Sequence, residues 1–169
     1  MHFPTRVFLI TGSNIEPRIT FLQDAEKEIG QNIGTILRKS AIYESQPWGF
    51  RSETNFLNQV MEIETFRSAG EVLKLILNIE LKLGRTREDT GYLSRTIDID
   101  ILYFGHELIK EKDLQVPHPR LHLRKFTMMP LVEIAPDYEH PGLKKTNREL
   151  LNGLTDNSGV WKHKENVEI

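Results

Sequence analysis

Two aspartates, Asp98 and Asp100, stand two residues apart in the run Thr96-Ile97-Asp98-Ile99-Asp100-Ile101, with isoleucine at the alternate positions. Side chains on a strand repeat every two residues, so this pattern predicts one apolar face and one face carrying both carboxylates. Alpha-carbons two apart along a strand lie roughly 7 Å from one another, and carboxylates so placed can converge on metal ions about 3.5–4 Å apart. The donors are hard oxygens, the chain has no cysteine, and its histidines are scattered without metal-ligand spacing, a set that suits magnesium better than zinc. Alone, such a pair is more often a solvated or salt-bridged strand face. Arg85, Arg87 and Arg95 lie in or beside the loop that enters this strand, and arginines next to paired carboxylates make a constellation for metal and polyphosphate.

The elements that must position these residues follow from periodicity. Arg6 to Ile10 reads as a first strand that stops at the turn-forming cluster Thr11-Gly12-Ser13-Asn14. Ile19, Leu22, Ala25 and Ile29 recur at helical spacing after Pro17, up to Gly30 and Gly34. Thr35 to Tyr43 and Phe56 to Thr65 read as strands around an aromatic loop, Gln46-Pro47-Trp48-Gly49-Phe50. Ser68 with Glu71 is a capping signature, and Val72, Leu73, Leu75, Ile76, Ile79 and Leu83 supply the apolar stripe of a second helix ending near Gly84. A polar loop from Arg85 to Ser94 then delivers the chain to the strand Thr96 to Phe104.

Beyond it, Gly105-His106 begins a hairpin toward Val116, Phe126 to Ile134 reads as a helix with Pro130 near its start, and Thr146 with Glu149 marks a capped turn. The last dozen residues read as a polar tail. The order strand, helix, strand, strand, helix, strand predicts an α+β fold: a ferredoxin-like βαββαβ sandwich. Its core is a four-stranded antiparallel sheet with two helices on one face, extended by a C-terminal hairpin and helical segment.

Composition sets the bounds. The chain of 169 residues is predicted to form a single domain over 1–169, and 38% hydrophobic with 27% charged residues is the balance of a globular protein rather than a disordered one. A net charge of -2 excludes a broad basic surface of the kind that binds nucleic acid. No signal-like run precedes the first strand and no stretch approaches the roughly 20 apolar residues of a membrane span, so a cytoplasmic protein is expected.

The strings Gly12-Ser13-Asn14, Phe56-Leu57-Asn58, Ile79-Glu80 with Gly84-Arg85-Thr86-Arg87, Arg95 to Asp100, and Pro117-His118-Pro119-Arg120 occur in order. Together they resemble the 6-hydroxymethyl-7,8-dihydropterin pyrophosphokinase family of folate biosynthesis, from about residue 7 to residue 136. The resemblance implies transfer of pyrophosphate from ATP, the co-substrate, to the hydroxymethyl group of the reduced pterin, with AMP released and two Mg2+ ions at Asp98 and Asp100. It implies that Arg85 and Arg95 steady the moving charge, and that Glu80, Arg87, Arg95, Ile101, His118 and Arg124 bind ATP. Phe56 and Phe126 would sandwich the pterin, Asn58 would read its amide-like edge, and groups around Ser45 and Trp48 would complete recognition. Gly12 would turn the chain tightly beneath the site. A monomer acting on small molecules is expected. The sequence departs from the commoner pattern at Gly91, where many relatives place an arginine, at Tyr92 for tryptophan, at Ser45-Gln46 for Thr-Pro, and at Trp48 for a smaller apolar residue.

Two other readings share some features. An RNA-recognition module has the same element order, but the strand Phe56 to Glu64 lacks its basic-glycine-aromatic pattern. A nucleotidyltransferase could use Gly12-Ser13 and the aspartate pair, and would release pyrophosphate instead of AMP.

Overall fold

The computed structural model describes residues 3–47, 54–84 and 96–164. Its elements in chain order are β1 (Thr5–Ser13), α1 (Arg18–Asn32), β2 (Thr35–Lys39), β3 (Tyr43–Ser45), β4 (Phe56–Thr65) and α2 (Ala69–Lys82). There follow β5 (Asp98–Phe104), β6 (Ile109–Lys110), β7 (Gln115–Val116), α3 (Lys125–Ile134), α4 (Asn147–Asn152) and β8 (Val160–Lys162), with a 3-10 turn at Leu121–Leu123 before α3. The fold is mixed α and β around an antiparallel sheet. No helix among the described residues is long and apolar enough to cross a membrane.

The main sheet runs β5-β1-β4-β3-β8, and β2 also pairs with β4, so among the described residues six strands take part where four were expected. One extra strand arises because the stretch Thr35 to Tyr43 breaks at Ser40. There the Ser40 hydroxyl accepts the N–H of Val60 at 3.0 Å, and the Gln59 side chain donates to the Ser40 carbonyl at 2.8 Å. A serine that bonds the neighbouring main chain competes with the regular ladder. The other is β8, which forms where a polar tail was expected. The hairpin after Gly105 is present as β6 and β7.

Local chemistry explains the helix starts. Ser68 Oγ accepts the N–H of Glu71 at 3.2 Å and opens α2, while Thr146 and Glu149 form a full capping box on α4. Pro130 lies inside α3, further from its start than the sequence suggested. Gly34 is required by space, because a β-carbon there would lie 2.3 Å from the Glu64 carbonyl oxygen.

Each face of the sheet has its own core. Leu22, Ala25 and Ile29 of α1 and Val72, Ile76 and Ile79 of α2 pack on Val7, Leu9, Met61, Ile63, Ile99 and Ile101. On the opposite face Met128, Leu131 and Ile134 of α3 and Leu150 of α4 pack on Phe8, Ile10, Val60 and Leu102. Each fully buried aliphatic side chain contributes roughly 1.5–3 kcal/mol. Those side chains fix both layers against the sheet, and the residues of interest occupy the part of the α3 face beyond this second core.

Candidate active site

The strand registers align a transverse row on the α3 face. Tyr43 of β3 stands opposite Asn58 of β4, Asn58 opposite Gly12 of β1, and Gly12 opposite Asp98 of β5. In the rows on either side, Ser45 faces Phe56, and Ile10 lies between Val60 and Asp100. Residues in register share a face, so Asn58, Phe56, Asp98 and Asp100 look out over the same strip of sheet. The strip from Asn58 to Asp98 spans two strand spacings, roughly 10 Å.

Gly12 lies within β1 and makes no turn, which corrects the role expected for it. A β-carbon at Gly12 would sit 2.9 Å from Asn58 Oδ1 and 3.8 Å from the Phe56 ring. Its bare main chain is the floor over which the Asn58 amide extends. Glycine inside a strand marks close approach of another group, but the turn-like cluster Thr11-Gly12-Ser13-Asn14 hides Gly12's place in a strand until β1 is seen paired on both sides. The amide is oriented from the far side, since Asn58 Nδ2 donates to Ser45 Oγ at 2.9 Å. Tyr43, which sequence reasoning passed over, ends the row by donating its hydroxyl to Glu133 of α3 at 2.8 Å, while the other Glu133 oxygen accepts the N–H of Ala41 at 2.7 Å. Burial first, then the Glu133 carboxylate, pushes the Tyr43 phenol up from its ordinary pKa. Its long-range partner had no local signature.

On the other flank β5 is the terminal strand of the sheet among the described residues. Its outward main-chain groups need partners from elsewhere. Glu80 of α2, only 3% exposed, accepts the N–H of Ile99 at 3.0 Å, at the residue between the two aspartates. Asp98 and Asp100 are partly exposed, with the Asp100 side chain at 38%.

His118 stands over Asp100, Nε2 to Oδ2 3.9 Å. Its main-chain N–H donates to Leu102 at 2.9 Å, and its Nδ1 accepts the N–H of Arg120 at 3.1 Å. The neutral ring therefore carries its proton on Nε2, toward Asp100. Burial first, then the charge of Arg124, pushes the His118 pKa down to about 4 against the pull of Asp98. Arg124 is lowered from the ordinary arginine value by burial, opposed by Asp100 and Asp98, and its guanidinium carbon lies 5.5 Å from the centre of the Phe126 ring.

Asp98, Asp100, His118, Arg124, Phe126, Asn58, Phe56 and Ser45 thus lie on or border one face. The Ile101 side chain does not join them, because it packs in the core under α1 and α2, leaving only its main chain to meet a ligand on the carboxylate side. Trp48, Arg85, Arg87, Gly91, Tyr92 and Arg95 fall outside the described residues. Among the described residues no group of three His, Asp or Glu side chains could hold a metal ion. The donor set is a pair of carboxylates beside a protonated imidazole nitrogen that cannot ligate. Two partly exposed carboxylates that leave other positions to phosphate and water fit a hard cation such as magnesium.

Residues 8–136 match the family described as 7,8-dihydro-6-hydroxymethylpterin-pyrophosphokinase (HPPK). The 2-amino-4-hydroxy-6-hydroxymethyldihydropteridine pyrophosphokinase of Bacillus subtilis (strain 168) is 39% identical over 164 residues, covering 95% of this chain and 93% of its own. Its counterpart from Aquifex aeolicus (strain VF5) is 39% identical over 144 residues, covering 85% and 89%. A crystal structure of Plasmodium falciparum HPPK-DHPS superposes with a TM-score of 0.72 at 18% identity over 89% of this chain, a likeness of fold. The chain spans 44% of that longer polypeptide.

Proposed function

The chain belongs to the 7,8-dihydro-6-hydroxymethylpterin-pyrophosphokinase family and is a pyrophosphokinase of folate biosynthesis, and we propose that the strip between Asn58 and Asp100 is where it works. In this reading the pterin lies over Gly12 between Phe56 and Phe126, and the Asn58 amide pairs with its amide-like edge. The observation that carries it is the row Asn58, Gly12, Asp98, which sets a planar hydrogen-bonding group and a carboxylate on either side of a bare floor. A flat heterocycle with a reactive side arm needs that separation between recognition and chemistry.

Asp98 and Asp100 would hold two magnesium ions, which when bound neutralise the charge of the ATP triphosphate. The pterin hydroxymethyl oxygen attacks the β-phosphorus of ATP. The bond from that phosphorus to the bridging oxygen next to the α-phosphorus breaks, AMP leaves with the bridging oxygen, and the alcohol's proton passes to solvent. His118, neutral and donating from Nε2, and Arg124, a fixed cation, face the aspartates from the segment after β7 and supply donors for phosphate oxygens. Glu80 holds the β5 main chain between the aspartates, which orients them, and the ATP contact expected of it runs through that strand. Arg85, Arg87, Arg95 and Trp48 keep the roles the family resemblance implies. We read the strand order as a ferredoxin-like layout, the chain as one domain, and the enzyme as a cytoplasmic monomer that binds no nucleic acid.

The test is incubation with ATP, magnesium and 6-hydroxymethyl-7,8-dihydropterin with identification of the nucleotide product. AMP in step with pterin diphosphate is expected. ADP as the matched product, or free inorganic pyrophosphate with a nucleotidylated pterin, overturns it.

A further inference from the structure

The segment after α4 lies beyond the residues matched by the family, and it is fastened to two of the elements that border the proposed pterin pocket. At one end Asp156 Oδ2 accepts the N–H of Lys125, the first residue of α3, at 3.0 Å, and Asp156 Oδ1 accepts the N–H of Ser158 at 2.9 Å. The residue at the start of α3, Arg124, supplies no side-chain cap of its own, and an acceptor 31 residues beyond Lys125 takes up the Lys125 N–H of the first turn.

At the other end β8 pairs with β3, Val160 opposite Ser45, and the N–H of Gln46 donates to the Gly159 carbonyl at 3.3 Å. Lys162 of β8 also meets Glu133 of α3 at 3.5 Å. Only the residues from Asp156 to Val160 join the two anchors. Burial works against the Asp156 carboxylate, yet the N–H groups of Lys125 and Ser158 hold its pKa below the usual carboxylate value.

We propose that Asp156 is a positioning residue for the reduced pterin: through Lys125 and β8 it sets the spacing between Phe126, at the start of α3, and the Ser45 and Phe56 pair across the pocket. The inference rests on the pterin assignment above. An aromatic slot depends steeply on its width, since a gap of roughly 0.5–1 Å forfeits a quarter to a half of the contact energy on that side. The phosphate side depends on this anchor less, reaching it only through Arg124, which precedes Lys125. Asp98 and Asp100 sit on β5, His118 is bonded to Leu102 and Arg120, and Arg124 is tied back to Leu121 through its main-chain N–H.

The experiment is steady-state kinetics of the full chain carrying Asp156→Ala or Asp156→Asn, with a parallel titration of fluorescent 6-hydroxymethylpterin in the presence of a non-hydrolysable ATP analogue. For Asp156→Ala the pterin KM and the titrated Kd are expected to rise roughly fivefold or more as the slot loosens, while kcat and the ATP KM stay within about twofold. Asp156→Asn keeps one oxygen acceptor and should recover part of the loss. Should Asp156→Ala fail to fold, the same split measured in Asp156→Asn decides the matter. An unchanged pterin KM, or an equal fall in affinity for both substrates, overturns the proposal. Wild-type enzyme that makes no AMP overturns the underlying assignment instead, so the two failures are distinct.

Discussion

The side chains of Asp98 and Asp100 belong to neither hydrophobic core and are partly exposed, so removing their charge should leave the fold alone. Asp98→Asn and Asp100→Asn are each expected to lower kcat by roughly a hundredfold or more with an unchanged thermal midpoint, measured by product formation and circular dichroism. Retention of wild-type turnover by either variant would sink the metal role. At Gly12 the prediction concerns the pterin: Gly12→Ala drives a methyl group to 2.9 Å from Asn58 Oδ1, so the amide must shift and the pterin KM should rise while the ATP KM does not. The alternation of isoleucine and aspartate was legible because a strand's two faces are written in a local pattern. The role of Gly12 was not, because Thr-Gly-Ser-Asn is also turn chemistry, and only the pairing of β1 with β4 and β5 on both sides decides for strand.

Between elements, Glu80 is the link from α2 to the edge of β5. Glu80→Leu leaves the buried N–H of Ile99 without its acceptor and should cost about 1–3 kcal/mol of stability, read from the midpoint of urea unfolding. Glu80→Gln retains an oxygen acceptor and is expected to lose less, and equal losses in the two variants would mean that the bond to Ile99 is not what matters. The capped helix α2 could be read from the chain, since Ser68, Glu71 and the apolar stripe lie within a few turns of one another. Glu80 could not, because its partner is 19 residues away and its burial depends on how α2 docks. The same holds for β8, which is three residues with no strong pattern of their own, held by β3 from more than a hundred positions earlier.

In the whole molecule, acid sensitivity should centre on histidines that are neutral when folded. His140 Nδ1 accepts two main-chain N–H groups, from Gly142 at 3.0 Å and Leu143 at 2.9 Å, and burial first, then His122, lowers its pKa. A group with a lowered folded pKa binds more protons when unfolded than when folded below its unfolded value, about 6.5 for histidine. Its contribution is therefore present above that value and lost as pH falls through the lowered one. His118 acts in the same direction, down to about 4. The melting temperature should fall between pH 7 and pH 5, and His140→Asn, which keeps an acceptor that does not titrate, should flatten that slope; an unaltered slope would remove His140 from the account. The floor at Gly12 has one more consequence. An inhibitor seated there would press on main-chain atoms, which substitution cannot exchange, and any new side chain at that position adds bulk against Asn58. Escape from the drug at this point would therefore impair the natural substrate as well.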